Sequence, residues 1–220
     1  MPNLRHPFEP DTIYHIYNHG NGDDLIFRDT ENYRFFLKRF KNYINHIATV
    51  YAYCLMPNHF HFLLRIKTEM ELLVFYEEKY PDKVRSAMSQ KDIADLKTNL
   101  SNFCSNQFKN FLISYSKSFN KMYNRRGSLF LDNIQRIPVT NQDYFTTLVR
   151  YIHFNPVLHG FVNRPADWKF SSFNTFLTDK RTLIDKSFVL DWFGSSELFI
   201  KFHQSIQEDE FDTVRHLTIE

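Results

Sequence analysis

The pattern of apolar and polar positions changes period along the chain. Residues 12–18 (TIYHIYN) are β-branched and aromatic and predict a strand, and the glycines and asparagine of 19–24 (HGNGDD) predict a turn or loop. Over 30–48, Tyr33, Phe36, Leu37, Phe40, Tyr43, Ile44 and Ile47 recur at intervals of three and four behind a capping Thr30, which predicts a helix. Residues 49–56 (TVYAYCLM) form a nearly unbroken apolar run, as in a central strand. Pro57-Asn58 marks a tight turn, and 59–66 (HFHFLLRI) is the return strand. Residues 67–100 are charged, less regular and broken by Pro81, and predict a helical insertion. A long helix is expected over 99–126, an extended segment opened by Gly127 over 127–139, and a helix over 140–155 with a Thr140…Asp143 capping pattern. That helix is expected to stop at Asn155, because a proline disfavours helical geometry in the residue before it. Short helices and loops fill the remainder.

Strand, helix, strand, strand, helix, strand is the order of a ferredoxin-like βαββαβ plan. The fold class expected is α+β: an antiparallel sheet with helices on one face, plus a helical insertion at about 67–100 and a C-terminal helical extension. The domain would span 1–165 and the extension 166–220. On this plan the other face of the sheet is free for a site.

Composition narrows the class. With 24 phenylalanines among 220 residues the chain can build a sizeable core, which argues against global disorder. A net charge of +2 points to no partner by itself. Cys54 and Cys104 lack CxxC spacing, so neither a zinc cluster nor a disulfide framework is expected, and reduced thiols suit a cytoplasmic protein. The first ten residues carry no apolar h-region, so no signal peptide is expected, and no run reaches the ~18 apolar residues of a membrane span. No glycine-rich phosphate loop is present.

The chemistry starts at MPNHFHFLL (56–64). Side chains alternate across a strand, so His59 and His61 share one face while Phe60, Phe62 and Leu64 take the other. Two imidazoles on one face either bind a cation through neutral nitrogens or are solvated, hydrogen-bonded guests. In VRYIHFNPVLHG (149–160), Tyr151 and Asn155 are four apart and stack on one helical face. They either converge on a site or serve as a core residue and a helix terminator. The stretch 115–136 carries Lys117, Lys121, Arg125, Arg126 and Arg136 against Asp132 alone, with Phe119, Tyr123 and Phe130 interleaved. Cations beside aromatics suit a phosphate backbone with stacking bases, or form an ordinary solvated helix face.

CLMPNHFHFLL followed much later by YIHFNPV resembles the HUH-type single-tyrosine transposases, and most closely the REP-associated tyrosine transposase group. YHIYNHG and RRGSLF fit the same pattern, and the resemblance runs from about residue 12 to about 165. It implies an enzyme that cleaves and rejoins single-stranded, hairpin-forming DNA through a covalent 5′-phosphotyrosine. It further implies Tyr151 as the nucleophile, and His59, His61 and Asn155 as ligands of a divalent metal, Mg2+ or Mn2+. The DNA contacts would be Lys117, Lys121, Tyr123, Arg125, Arg126 and Arg136. The protein would act as a homodimer or monomer, in the cytoplasm of a bacterial-type cell, nucleoid-associated when bound to DNA, and without a membrane partner. Since a tyrosine has a pKa near ~10, something must help its proton leave, and the residues name no base.

Two positions depart from the family pattern. Relatives commonly carry arginine at the position of His19 and a basic residue near Gln135, so DNA contacts are expected to be weaker there. A catalytically silent hairpin binder of the same fold is the alternative reading. A metal-dependent phosphodiesterase using water, with Tyr151 structural, is a third. Tyr144 is the second candidate nucleophile. His153 is expected to project from another side of its helix, and His15 and His19 either to approach the DNA from the first strand and its loop, without a catalytic role, or to be solvated surface.

Overall fold

The computed structural model describes residues 7–81, 90–131, 133–180 and 182–204, with the backbone alone over 90–97. Asp132 and the tail from 205 lie outside the described residues, as does 82–89 of the expected insertion. The elements run β1 (Ile13–His19), α1 (Thr30–Ile44), β2 (Ala48–Leu55), β3 (His59–Ile66), α2 (Glu69–Lys79), α3 (Gln90–Met122), β4 (Gln135–Pro138) and α4 (Gln142–Leu158). A 3-10 turn at Pro165–Asp167, a helical turn at Phe173–Phe176, α5 (Lys186–Phe193) and α6 (Ser196–Gln204) follow. The sheet order is β2-β3-β1-β4 with every neighbouring pair antiparallel, which is the ferredoxin-like arrangement.

Local chemistry sets the element ends. Asp29, rather than Thr30, caps α1: its carboxylate accepts from the Asn32 amide at 2.9 Å. Asn141, rather than Thr140, caps α4 through the Tyr144 amide at 2.8 Å. Within the stretch expected to form an insertion, α2 opens with a reciprocal Thr68–Glu71 capping box. The helix carrying Tyr151 does not stop at Asn155. It runs through Pro156 to Leu158, and the Asn155 carbonyl accepts from the His159 amide at 3.1 Å. A proline in the last turn removes a single hydrogen bond, and Asn155 is held helical by its contact with β3.

Both faces of the sheet are covered. Phe60 and Phe62 turn to α1 and α3, where Phe40 stacks on Phe62 with centroids 4.2 Å apart, and Phe36 meets Phe27, Phe60, Phe111 and Tyr115. The opposite face, expected to be open, is crossed by α4, which packs on β2 and β3. The C-terminal extension runs along the outer edge of β2. The Leu55 amide donates to the Phe170 carbonyl, the Ser172 amide to Tyr53 and the Asp185 amide to Val50, so this edge is closed to further strand pairing.

Gly20 sits where the β1 loop meets the β2–β3 turn. Its amide donates to the Asn58 carbonyl at 2.6 Å, and an added Cβ would lie 2.2 Å from the Asp24 carbonyl oxygen. Backbone on both sides leaves no room to yield. Gly20→Ala is expected to cost about 2–3 kcal/mol in urea unfolding. Gly22→Ala has open space and only a positive φ of 59° to bear, and should cost about 1 kcal/mol. Equal losses at the two positions would contradict the steric account.

The extension is tied to α4 by buried histidines. The His203 Nδ1–H donates to the Phe199 carbonyl at 2.8 Å, leaving its Nε2 to accept from His153 Nδ1 at 3.0 Å, while His153 Nε2 lies 2.8 Å from Ser172 Oγ. As expected, His153 projects away from Tyr151. Burial holds the pKa of His153 well below the histidine range and lowers that of His203 to about 3. In the unfolded chain His203 takes up a proton below about pH 6.5, but in the folded protein it does not. Its contribution to stability is therefore complete above about 6.5 and shrinks as pH falls, by up to ~1.4 kcal/mol per pH unit. Urea unfolding between pH 7.5 and 5 should show a slope reduced by about one proton in His203→Gln. Parallel curves for the two proteins would refute the assignment.

Candidate active site

The period-2 pattern of β3 and the register β1–β3 bring five polar aromatic residues to the face beneath α4. Tyr17 pairs with His61 and His19 with His59, while His15 lies one step further along β1 on the same side. On α4, the four-residue spacing sets Tyr151 and Asn155 over this face. His59 Nε2 lies 2.7 Å from Asn155 Oδ1, and the Tyr151 ring meets that of His61 edge-on with centroids 5.6 Å apart. The His59 and His61 rings are themselves edge-on at 5.1 Å. The structure thus brings His59, His61, Tyr151 and Asn155 together, across 96 positions of sequence and within one chain.

Sequence reasoning missed several neighbours. His15 is buried, not solvated, and its Nε2 lies 3.0 Å from His61 Nδ1. His19 is half-buried, with Nδ1 2.7 Å from the Gly20 carbonyl and Nε2 2.9 Å from Asn58 Nδ2. Asn58 Oδ1 in turn lies 2.8 Å from His59 Nδ1. The alternation along β1 could have put His15 and His19 on one face, but not on the face of His59. The other candidate nucleophile, Tyr144, lies two turns before Tyr151 on α4, and burial pushes its hydroxyl up to about 12. Tyr17 is raised likewise to about 12 by burial.

The donor set suits a divalent cation. An imidazole nitrogen and an amide oxygen converge at 2.7 Å, near the ~3 Å that separates adjacent ligands on an octahedral ion, with a second imidazole alongside. As ligands all three would be neutral, and a mixed nitrogen–oxygen set fits manganese better than magnesium. Among the described residues no group of three His, Cys, Asp or Glu side chains is placed to hold a metal, so the amide of Asn155 is needed to complete such a set.

The basic stretch lies on the other side of the sheet. Arg136 pairs with Ile16, on the face opposite His61, and its guanidinium sits 4.3 Å from the centre of the Phe8 ring. With Lys109 and Lys117 it lines a cavity of about 560 Å³ between α3 and the segment leading to β4. Lys121 and Arg126 are exposed. Arg125 is drawn into the chain's own packing by an ion pair with Asp24 and hydrogen bonds to the Gly127 and Ser128 carbonyls. Tyr123 donates to Asp29 at 2.6 Å, and Arg28 covers its ring at 4.7 Å. Among the described residues no helix is long and apolar enough to cross a membrane.

No family model matches the chain. Over 152 residues, 68% of this chain and 69% of the relative, it is 26% identical to a Haemophilus influenzae protein named as a REP-associated tyrosine transposase. A solved structure described as a REP-associated tyrosine transposase bound to a REP hairpin matches 84% of this chain and 94% of its own, with a TM-score of 0.51 at 14% identity. In sequence and in fold, this chain is similar to the REP-associated tyrosine transposases, as its paired histidines and distal YIHFNP motif imply.

Proposed function

We propose that this protein cleaves and rejoins single-stranded, hairpin-forming DNA with Tyr151 as nucleophile. The observation that carries the proposal is the meeting of Tyr151, His59, His61 and Asn155 on one sheet face. The Tyr151 hydroxyl oxygen attacks phosphorus and the P–O3′ bond breaks. One proton leaves the phenol and one arrives at the departing 3′-oxygen. The product is a 5′-phosphotyrosine and a free 3′-hydroxyl. Attack of a 3′-hydroxyl on that linkage restores a phosphodiester and the tyrosine. The phosphoester bond is conserved throughout, so no nucleotide is consumed. His59, His61 and Asn155 would hold a divalent metal, which when bound supplies charge stabilisation and orientation at the phosphate.

Tyr151 and Asn155 have no solvent exposure. DNA therefore reaches the nucleophile only after α4 shifts from the sheet. The same burial favours the second reading, a hairpin binder without covalent chemistry. The deciding experiment incubates the protein with labelled single-stranded hairpin DNA from repeats flanking its gene and Mn2+ or Mg2+, followed by a denaturing gel and peptide mass mapping. A DNA adduct on the Tyr151 peptide is the expected result. Binding without adduct, with both metals and several flanking sequences, would overturn the enzymatic reading in favour of the binder.

In this proposal the groove lined by Lys117 and Arg136 takes the hairpin's phosphates. Lys117→Ala and Arg136→Ala should each weaken hairpin binding about equally across sequences and lower the salt slope by about 1. An unchanged slope in both would place the DNA elsewhere.

A further inference from the structure

We propose that His15, Asn58 and His19 are positioning residues that hold both motif histidines as their Nδ1–H tautomers, so that Nε2 of each is the nitrogen offered to a metal. For His59 the assignment follows from the hydrogen bonds made with a neutral His19. For His61 its direction rests on the metal reading above.

A backbone carbonyl anchors the His59 side. The Gly20 carbonyl only accepts, so the His19 nitrogen 2.7 Å away, Nδ1, carries the hydrogen. In neutral His19 the other nitrogen, Nε2, then accepts. The Asn58 amide must turn its Nδ2 toward it, at 2.9 Å. That settles which end of Asn58 is oxygen: Oδ1 faces His59 Nδ1 at 2.8 Å, and His59 Nδ1 donates. The backbone bond from the Gly20 amide to the Asn58 carbonyl, 2.6 Å, holds the two ends of this chain of bonds in register. With Nδ1–H committed, His59 Nε2 offers a lone pair on the Asn155 side, either to a cation shared with Oδ1 or to the carboxamide N–H when Asn155 turns over.

His15 plays the corresponding part for His61. Its ring is buried, lies 5.2 Å from that of His61 at 23°, and puts Nε2 3.0 Å from His61 Nδ1. One of the two nitrogens donates. If His61 Nε2 is a ligand, His61 Nδ1 donates and His15 accepts. Metal-binding histidines are oriented in general by a partner on the other ring nitrogen. Here that partner is an amide for one histidine and a third imidazole for the other.

The test uses the full chain, metal-free, with 15N-labelled histidine. Long-range 1H–15N spectra should show His59 and His61 as Nδ1–H tautomers. Asn58→Ala should move His59, and His15→Phe should move His61, toward the Nε2–H form. Asn58→Asp, which keeps the acceptor, should leave His59 unchanged. In parallel, Mn2+ affinity should fall about 10–100-fold in Asn58→Ala and His15→Phe. An Nε2–H form at either histidine of the unsubstituted protein would overturn the proposal even if neither variant folds. Tautomers unmoved by both substitutions would do the same. The manganese titration of the unsubstituted protein separates this from the reading above. Binding with Nε2–H histidines sinks the positioning layer alone. Nδ1–H histidines without binding sink the metal assignment and leave the layer standing.

Discussion

Tyr151→Phe is expected to abolish the covalent DNA adduct and lower single-strand cleavage by at least ~10³-fold, because the substitution removes the one atom that forms the new bond to phosphorus. Binding of the hairpin in the absence of metal should change by less than about two-fold, since the ring keeps its place. Tyr151 is fully buried against His61, and phenylalanine has nearly the same volume. The control is Tyr144→Phe. The Tyr144 hydroxyl is raised to about 12 by burial and makes no hydrogen bond among the described residues, so its removal should leave both adduct and stability near those of the unsubstituted protein. Cleavage that survives Tyr151→Phe would point to attack by water, and an adduct that moves with Tyr144 would reassign the nucleophile.

Phe36→Ala should cost about 3–5 kcal/mol in urea unfolding, the largest loss expected of any single truncation considered. Phe36 has no exposed surface and touches rings from three separate segments: Phe27 before α1, Phe60 and Phe62 on β3, and Phe111 and Tyr115 on α3. Deleting it leaves a cavity that no neighbour can fill without breaking several edge-on contacts. Met70→Ala, at a position 72% exposed on α2, should stay within about 0.5 kcal/mol. A loss under about 1 kcal/mol for Phe36→Ala would mean that the helix face of the sheet is not packed as described.

The division between sequence and tertiary structure follows the range of the forces involved. The amino-acid sequence by itself paired the four candidates two by two, because each pair is a local period, while joining the two pairs into one site rested on the family resemblance. Positions i and i+2 of a strand share a face, which pairs His59 with His61. Positions i and i+4 of a helix do so too, which pairs Tyr151 with Asn155. It also determined the element order, since the alternation of periods along 12–66 is strong and glycine and proline punctuate it.

The capped helix starts were legible to within a residue or two, but the long helix expected over 99–126 runs over Gln90–Met122, its first turns lying in the stretch expected to form the insertion. Asp29 and Thr30, or Thr140 and Asn141, offer similar capping oxygens, and only the finished turn selects one. Pro156 read as a stop because the proline rule is local. The contact of Asn155 with His59, made across 96 positions, outweighs it. The tertiary structure alone decided which face α4 covers, and so that the catalytic candidates are enclosed while Lys117 and Arg136 lie on the far side of the sheet. It alone turned His15 and His19 from surface residues into neighbours of the site, through the β1–β3 register, and drew Arg125 and Tyr123 into the chain's own packing. Register and ion pairs between distant segments leave no periodic trace in sequence: they are set by which surfaces bury one another, and that is settled only when the whole sheet closes.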